Sequence, residues 1–308
     1  MFKYTLDNKR YHTLNYHYKQ IYGKKVFKVS LNANFSCPHK IKGRGCIFCS
    51  KLGSGDFAGD VNKDLITQFM DVKEIMQRKW PDAYYIGYFQ ANTNTYAPVS
   101  VLKEKYESIL KLDNVIGLSI ATRPDAISDE CLDYLEELSK KTNLTIELGL
   151  QSMHDNTLKY INRGHDLKNF DECVKKLKER NIKVVVHIIN GLPYETKEMM
   201  IDTVKNLNKL NIDGIKIHML HVINDTELKD IYEKEQFHIL SKEEYIDIVV
   251  SQLEVLNPKI VIHRITGDPK KEDLIEPTWL LKKFCVLNDI DKYMVKKNTY
   301  QGKYYKAS

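Results

Sequence analysis

Residues 26–50 have the sequence VFKVSLNANFSCPHKIKGRGCIFCS, a β-branched run followed by a loop that holds three of the chain's six cysteines. The run Val26–Leu31 predicts a strand. Cys37, Cys46 and Cys49 follow it, and no fourth cysteine lies nearby in the sequence. Because functional residues gather beyond the carboxyl ends of parallel strands, this loop predicts a site at one rim of a sheet.

Further runs of this kind alternate with segments of helical periodicity. The predicted strands are Tyr84–Phe89, Val115–Ala121, Leu144–Leu150, Val184–Ile189, Gly214–Leu220 and Ile260–Ile265. The predicted helices lie near 128–140, 168–180, 196–210 and 241–256. This alternation is typical of βαβ units, so we expect the α/β class and a partial (β/α)6 barrel with a C-terminal extension strand and a basic tail. The expected boundaries are a basic aromatic N-terminal extension (1–25), the barrel (26–256) and the C-terminal extension with its tail (257–308).

The composition is that of an ordinary globular protein, because 43% of the 308 residues are hydrophobic and 29% are charged. The sequence has no apolar run that could span a membrane and no signal peptide, so we expect a cytoplasmic protein that does not act at a membrane. Thiols stay reduced in that compartment, which disfavours disulfides and favours metal or catalytic use of clustered cysteines.

Positive charge is concentrated at both ends of the chain, whose net charge is +6. Residues 1–28 carry seven Lys or Arg against one Asp, and residues 282–308 carry seven Lys against two Asp. Tyrosines are interleaved in both segments. Cations that meet phosphates beside rings that stack on bases are typical of a nucleic-acid surface. The alternative is a pair of solvated, lysine-rich ends.

Three thiolates from one loop can hold a metal centre while leaving one position open for another molecule. A structural zinc site uses four protein ligands, and His39 could complete such a Cys3His set. Iron–sulfur, zinc and plain structural thiols are therefore the alternatives, and the placement of the loop after the first strand favours an iron–sulfur cluster. The other cysteines are predicted to be small apolar fillers, so we expect no second cluster: Cys131, Cys173 and Cys285.

The cysteine loop at the first strand of a barrel resembles the cluster loop of the radical S-adenosylmethionine (SAM) superfamily. Its first gap is eight residues, where the usual spacing is C-x3-C-x2-C. The whole chain resembles a branch with a longer first gap, related to the elongator catalytic subunit and to oxygen-independent coproporphyrinogen oxidase. Within that branch it is similar to the MnmL (YtqA/YhcC-like) group of tRNA wobble-uridine enzymes. The matching stretches include YFQANTNTYAPV (88–99), GLSIATRPD (117–125), ELGLQS (147–152), INRGHD (161–166), HIINGLP (187–193), GIKIHML (214–220) and HRITGD (263–268).

The resemblance implies a radical SAM barrel with two cofactors. The thiolates of Cys37, Cys46 and Cys49 would hold a [4Fe-4S] cluster, and the open fourth iron would take SAM. The residues that resemble SAM contacts are Phe48 (adenine), Gln90 (ammonium), Gln151 (ribose), Arg163 (carboxylate) and His187 (ribose).

Some of these residues also have structural interpretations. Gln151 could cap a helix, Arg163 could pair with Asp166 at the surface, and His187 could be an ordinary barrel histidine, as could His218 and His221. From the sequence these alternatives stay open.

The resemblance further implies tRNA modification, namely conversion of 5-carboxymethylaminomethyl(-2-thio)uridine-34 to 5-aminomethyl(-2-thio)uridine. The partners implied are the tRNA anticodon stem-loop, an electron donor such as flavodoxin or ferredoxin, and a pathway link to a tRNA methyltransferase. Candidates for the substrate pocket are Arg123, His263, Arg264 and Trp279; the last three could equally form a strand, a turn and a core tryptophan. The alternative functions are a radical SAM enzyme that acts on a small metabolite or a protein, and a zinc-stapled nucleic-acid-binding module.

Overall fold

The computed structural model describes residues 4, 8–50, 53, 58–235 and 237–307. Nine strands form in this part of the chain, and seven of them make one sheet. The strands are β1 (Val26–Leu31), β2 (Tyr84–Phe89), β3 (Val115–Thr122), β4 (Asn143–Gln151), β5 (Lys183–Asn190), β6 (Gly214–Met219), β7 (Val222–Ile223), β8 (Val261–Arg264) and β9 (Leu274–Glu276).

The large sheet has the order β1-β2-β3-β4-β5-β6-β8, and every neighbouring pair is parallel. A flat sheet of seven strands would separate its edge strands by about 29 Å. Instead, Nζ of Lys28 in β1 lies 3.3 Å from Nδ1 of His263 in β8, so the sheet curls. The predicted partial (β/α)6 barrel with an added strand is thus confirmed. β7 and β9 form a separate antiparallel ribbon.

The strands are buried because helices cover the outer face of the sheet and side chains fill its interior. In β5, for example, the run Val184–Val186 and Ile188 are all buried, while Lys183 at the start is exposed. Near-continuous β-branched sequences of this kind are typical of a parallel sheet that is covered on both faces.

Eleven α-helices form in the described part of the chain. Several begin where a side chain accepts a hydrogen bond from a backbone N–H of the first turn, as Ser128 and Thr196 do. The helices are α1 (Leu14–Tyr22), α2 (Pro38–Ile41), α3 (Leu65–Lys79), α4 (Val99–Leu110), α5 (Asp129–Ser139), α6 (Asp155–Tyr160), α7 (Leu167–Glu179), α8 (Lys197–Leu207), α9 (Glu227–Glu235), α10 (Lys242–Val255) and α11 (Lys283–Lys296).

The two basic ends of the chain meet in the fold. The backbone N–H of Gln301 donates to the carbonyl of Arg10 at 2.9 Å, and the N–H of His12 donates to Oε1 of Gln301 at 2.8 Å. The predicted basic tail is largely α11, which packs through Val286, Ile290 and Met294. Residues 8–28 and 296–307 therefore form one surface, whereas Lys282 and Lys283 lie at the start of α11, near Asp268.

This surface lies at the amino ends of the strands. The carbonyl of Lys25 accepts from the N–H of Tyr84 at the start of β2, and Nζ of Lys297 lies 3.7 Å from Glu254 near the end of α10. The cysteine loop follows β1, at the opposite end of the barrel. We call Lys24, Lys25, Lys296 and Lys297 the end lysines.

None of the helices in the described part of the chain has both the length and the apolar character that are needed to cross a membrane.

Candidate active site

A cavity of about 280 Å³ opens at the carboxyl ends of the barrel strands. All three cysteines of the loop line it. The five residues that resemble SAM contacts line it as well: Phe48, Gln90, Gln151, Arg163 and His187. The fold therefore brings these eight side chains, predicted from separate motifs, to one place.

The cysteine loop is tied to two neighbouring elements. The N–H of Ile47 donates to the carbonyl of Ile161 at 3.1 Å, and the carbonyl of Ile47 accepts from the N–H of Leu228 at 2.9 Å. Cys46 is buried, and a hydrogen bond from the Cys49 thiol, together with nearby arginine charge, holds the pKa of Cys46 well below its usual value. The same hydrogen bond, together with burial, raises the pKa of Cys49 well above its usual value. The thiolate form that binds metals is therefore favoured at Cys46.

His39 is engaged away from the thiols. Its Nε2 lies 2.7 Å from the carbonyl oxygen of Asn162. Its ring packs so closely on Gly164 (φ +81°) that a Cβ there would lie 2.7 Å from the imidazole. Among the described residues, no three His, Cys, Asp or Glu side chains are arranged to hold one metal ion. The tetrahedral Cys3His donor set of a structural zinc site is thus not formed by these residues.

Arg163 points into the cavity. One terminal nitrogen donates to the carbonyl of Gly149 at 2.7 Å, another lies 3.6 Å from Sγ of Cys46, and its buried Nε has no partner among the described residues. The alternative pairing with Asp166 does not form, because that carboxylate caps α7 by accepting from the N–H of Asn169. A side chain at Gly149 would collide with the guanidinium at 2.7 Å. The buried guanidinium is suited to an anion beside the thiols.

Gln151 ends β4 with a left-handed backbone, φ +76°. This conformation costs a residue other than glycine about 1 kcal/mol, and it follows a register shift between Gly149 and Gln151. The side chain lines the cavity. Gln151 does not cap a helix, since α6 begins at Asp155 with His154 as its preceding cap residue.

The four substrate-pocket candidates lie in different environments. Arg123 lines the cavity and is already bound by Asp125 through two hydrogen bonds of 2.9 Å. Arg264 lines the cavity at its rim, 3.6 Å from Asp268. His263 lies below the cavity beside Lys28.

Trp279 lies outside the cavity. Its indole N–H donates to the carbonyl of Leu240 at 2.9 Å, and its ring packs on Tyr245 in the main core. This environment agrees with the interpretation of Trp279 as a core tryptophan.

The sequence analysis missed a layer of polar side chains inside the barrel, one from each strand of the large sheet. Glu147 is buried at its centre and accepts hydrogen bonds of 2.7 Å from Lys28, 2.5 Å from Lys216 and 2.6 Å from Ser119. Nε2 of His187 lies 2.7 Å from the same carboxylate. The signal was available, since charged residues interrupt apolar strands. This polar layer consists of Lys28, Tyr88, Ser119, Glu147, His187, Lys216 and His263.

Burial and charge set the ionisation of the polar layer. Burial opposes ionisation of Glu147, but the positive charges of Lys216 and Lys28 outweigh it and hold the pKa of Glu147 well below its usual value. Burial lowers the pKa of His187 to about 4, with the charge of Lys216 acting in the same direction. The layer therefore holds a carboxylate and a neutral imidazole at neutral pH.

Residues 36–207 match the family model of the Radical SAM superfamily, and residues 212–296 match the model of the Radical SAM C-terminal domain. The chain belongs to the radical SAM superfamily. The first match covers the cysteine loop and β2 to β5, and the second covers β6 to β9 with α11. Both halves of the cavity thus lie within matched segments of a radical SAM protein.

Two relatives and one solved structure show what the chain is similar to, and the relatives agree with the elongator-related branch. The uncharacterized protein YtqA of Bacillus subtilis is 50% identical over 307 residues, covering 99% of this chain and 95% of YtqA. The tRNA uridine(34) acetyltransferase of Methanocaldococcus infernus is 27% identical over 185 residues. This match covers 59% of this chain and 34% of the acetyltransferase. The Elp3 structure of Methanocaldococcus infernus has a TM-score of 0.70 at 19% identity, covering 90% of this chain and 64% of Elp3, and this likeness concerns the fold alone.

Membership of the superfamily implies a [4Fe-4S] cluster and SAM, and the cavity fits both. Three cysteines line it, and the guanidinium of Arg163 lines it beside Cys46, with a terminal nitrogen 3.6 Å from Sγ. A single-ion zinc site would need a closer donor set than the described residues form.

Proposed function

We propose that this radical SAM protein modifies tRNA, converting 5-carboxymethylaminomethyl(-2-thio)uridine-34 to 5-aminomethyl(-2-thio)uridine. The observation that carries the proposal is the convergence of three loop thiols and a buried arginine on one cavity, in a chain related to a tRNA uridine(34) acetyltransferase. The proposal places the protein in the cytoplasm, where thiols stay reduced.

Five residues of the cavity have a defined task in this proposal. Cys37, Cys46 and Cys49 would hold the cluster, Arg163 the carboxylate of SAM, and Gln151 its ribose. When bound, these cofactors supply a 5′-deoxyadenosyl radical that takes hydrogen from a carbon of the substrate. The barrel would hold that carbon close to the radical and shield the radical from water.

The overall conversion balances without an added oxidant. The glycine-like arm of the nucleoside loses two electrons and, with water, leaves as glyoxylate, so that the primary amine is freed. SAM takes up the same two electrons and one proton and becomes methionine and 5′-deoxyadenosine. A nitrogen and a carboxylate flank the methylene, and both stabilise a radical there.

The mouth of the cavity is suited to RNA. Exposed aromatic side chains follow the carboxyl ends of β2 and β5, at Tyr96 and Tyr194, and a third, Phe284, lies at the start of α11. Exposed or half-exposed lysines lie between β8 and α11, and we call them the rim lysines: Lys270, Lys271 and Lys282. Cations beside exposed rings are typical of single-stranded RNA surfaces.

The end lysines lie about one strand length away from this rim. A six-residue strand such as β1 spans about 20 Å. A nucleoside that enters the cavity brings its neighbouring phosphates to the rim, not to the chain ends. We therefore propose that the anticodon loop docks at the rim, and that the end lysines contribute less to tRNA binding than the rim lysines do.

The test is anaerobic reconstitution with iron and sulfide, followed by incubation with SAM, a reductant and hypomodified tRNA. We expect brown protein, release of methionine and conversion of the carboxymethylaminomethyl nucleoside to the aminomethyl nucleoside. An unchanged nucleoside profile with SAM cleavage intact would favour a small metabolite or a protein as substrate. Colourless protein with stoichiometric zinc would refute radical chemistry.

A further inference from the structure

The polar layer contains more positive than negative charge. Lys28 and Lys216 face the single carboxylate of Glu147, and burial lowers the pKa of His187 and of His263, which keeps both imidazoles neutral. With both lysines protonated, the layer carries one uncompensated positive charge. A buried unpaired charge is unfavourable, so the layer is electrostatically suited to one additional monoanion.

The two lysines differ in their hydrogen bonds. Nζ of Lys28 has three partners, namely Ser119, Glu147 and His263, and it does not reach the cavity. Nζ of Lys216 donates to Glu147 at 2.5 Å and to the hydroxyl of Tyr88 at 3.0 Å, and it lines the cavity. An ammonium has three protons to donate, so Lys216 can donate one more hydrogen bond toward the cavity.

Three further basic groups line the cavity next to Lys216, and we call the four together the basic wall. His218 and His221 follow Lys216 along the chain, and each has a buried Nε2 without a partner among the described residues. Arg264 comes from the neighbouring strand β8. The wall thus places two cations, Lys216 and Arg264, on β6 and β8, with His218 on β6 and His221 just after it. The thiols and Arg163, in contrast, are held by the loop after β1 and the segment after β4.

We propose that the basic wall binds the carboxylate of the substrate, with Lys216 as the paired cation. The identity of the substrate rests on the proposed function, whose nucleoside ends in a carboxymethyl group. The charge count favours a carboxylate over a dianionic phosphate. Arg264 is already paired with Asp268, so one further negative charge neutralises the layer and a second leaves it negative. Arg123 is less suited to the task, because two hydrogen bonds of 2.9 Å from Asp125 compensate its charge, although its Nη1 has no partner among the described residues.

The ionisation of Lys216 is consistent with this role. Burial lowers the pKa of Lys216 to about 7, Glu147 opposes this shift, and the charges of Lys28 and Arg264 add to it. An anion in the cavity would stabilise the protonated form. Lys216 is then poised to gain a proton as the carboxylate arrives.

The test measures the affinity of the reconstituted protein for two free nucleosides, 5-carboxymethylaminomethyluridine and its carboxamide, which lacks the negative charge of the carboxylate. A charge-assisted hydrogen bond should give the wild type a preference of about 10- to 100-fold for the carboxylate. Lys216→Met should reduce the preference to less than about twofold. Lys73→Met is the matched control, because Lys73 is also buried but donates to the carbonyl of Asp113 outside the cavity.

Equal affinity of the wild type for both nucleosides, or a preference that survives in Lys216→Met, would overturn the inference. If Lys216→Met does not fold, Arg264→Gln at the exposed rim must weaken the preference at least about threefold. Inorganic phosphate that competes better than acetate would also overturn it, in favour of a phosphate site. A carboxylate preference without conversion of the nucleoside in tRNA would refute the proposed function and leave the carboxylate site supported. Conversion in tRNA without a carboxylate preference would support the proposed function and refute the carboxylate site.

Discussion

Replacing Glu147 with glutamine tests the electrostatic centre of the barrel. The substitution keeps the size and shape of the side chain but removes a carboxylate that is fully buried and pairs with Lys28 at 2.7 Å and with Lys216 at 2.5 Å. Removing one partner of a buried ion pair typically costs about 3–5 kcal/mol, because the remaining charges are left uncompensated. With an unfolding entropy of about 2.1 cal/mol/K per residue over 308 residues, this loss lowers Tm by about 5–8 °C.

The assay is thermal or urea unfolding of the wild type and Glu147→Gln, followed by circular dichroism. Glu136→Gln is the control, because Glu136 forms a surface pair with Lys140 and its replacement should leave the midpoint unchanged. Replacing Lys28, Glu147 and Lys216 together by methionine should recover much of the loss, since the buried charges disappear as a set.

The contribution of Glu147 to folding stability depends on pH with a defined sign. The pKa of Glu147 is lowered in the folded state, so its contribution is present above the unfolded carboxyl value and is lost as pH falls through the folded value. The stability difference between wild type and Glu147→Gln should therefore narrow in acid, beginning as pH falls below about 4.5. Equal stability at neutral pH, or a difference that widens in acid, would refute the reasoning.

Four further outcomes are expected. Arg163→Lys should weaken SAM binding about tenfold in equilibrium dialysis, because lysine keeps the charge but cannot form the planar two-point contact; unchanged affinity would remove the residue from the SAM site. Alanine at any loop cysteine should abolish the iron and sulfide content of reconstituted protein, whereas Cys131→Ala should leave it intact. Glutamine at the three rim lysines should weaken tRNA binding and lower the salt slope by up to about 3, and glutamine at the four end lysines should have the smaller effect; the opposite ranking would place the RNA at the chain ends. Affinity for the carboxylated nucleoside should fall as pH rises through about 7, where Lys216 loses its proton, and this fall should be absent in Lys216→Met.

The sequence determined the elements of the fold and the chemistry of the cysteine loop. Period-two and β-branched patterns involve only a few neighbouring residues, so they can be recognised in the sequence alone. The strand predicted over Gly214–Leu220 is accordingly observed as Gly214–Met219. Helix starts at Ser128 and Thr196 were predictable for the same reason, since a cap bonds to an N–H within three residues. The thiols and Arg163 were found through local motifs.

The sequence alone did not show which distant side chains meet. Trp279 was a pocket candidate from its place in the chain, but the fold puts its ring on Tyr245, outside the cavity. The basic ends looked like a nucleic-acid surface, but the sequence did not show where that surface lies. In the fold, Arg10 and Gln301 join them at the end of the barrel opposite the cavity.

The polar layer and the basic wall are brought together only by the tertiary structure. Lys28, Glu147 and Lys216 lie on three strands far apart in the chain, and their contacts depend on the register of the parallel strands and on the curl of the sheet. Sequence periodicity sets which face of a strand a residue occupies. It does not set which residue of another strand lies opposite, because that depends on how seven strands close around one interior.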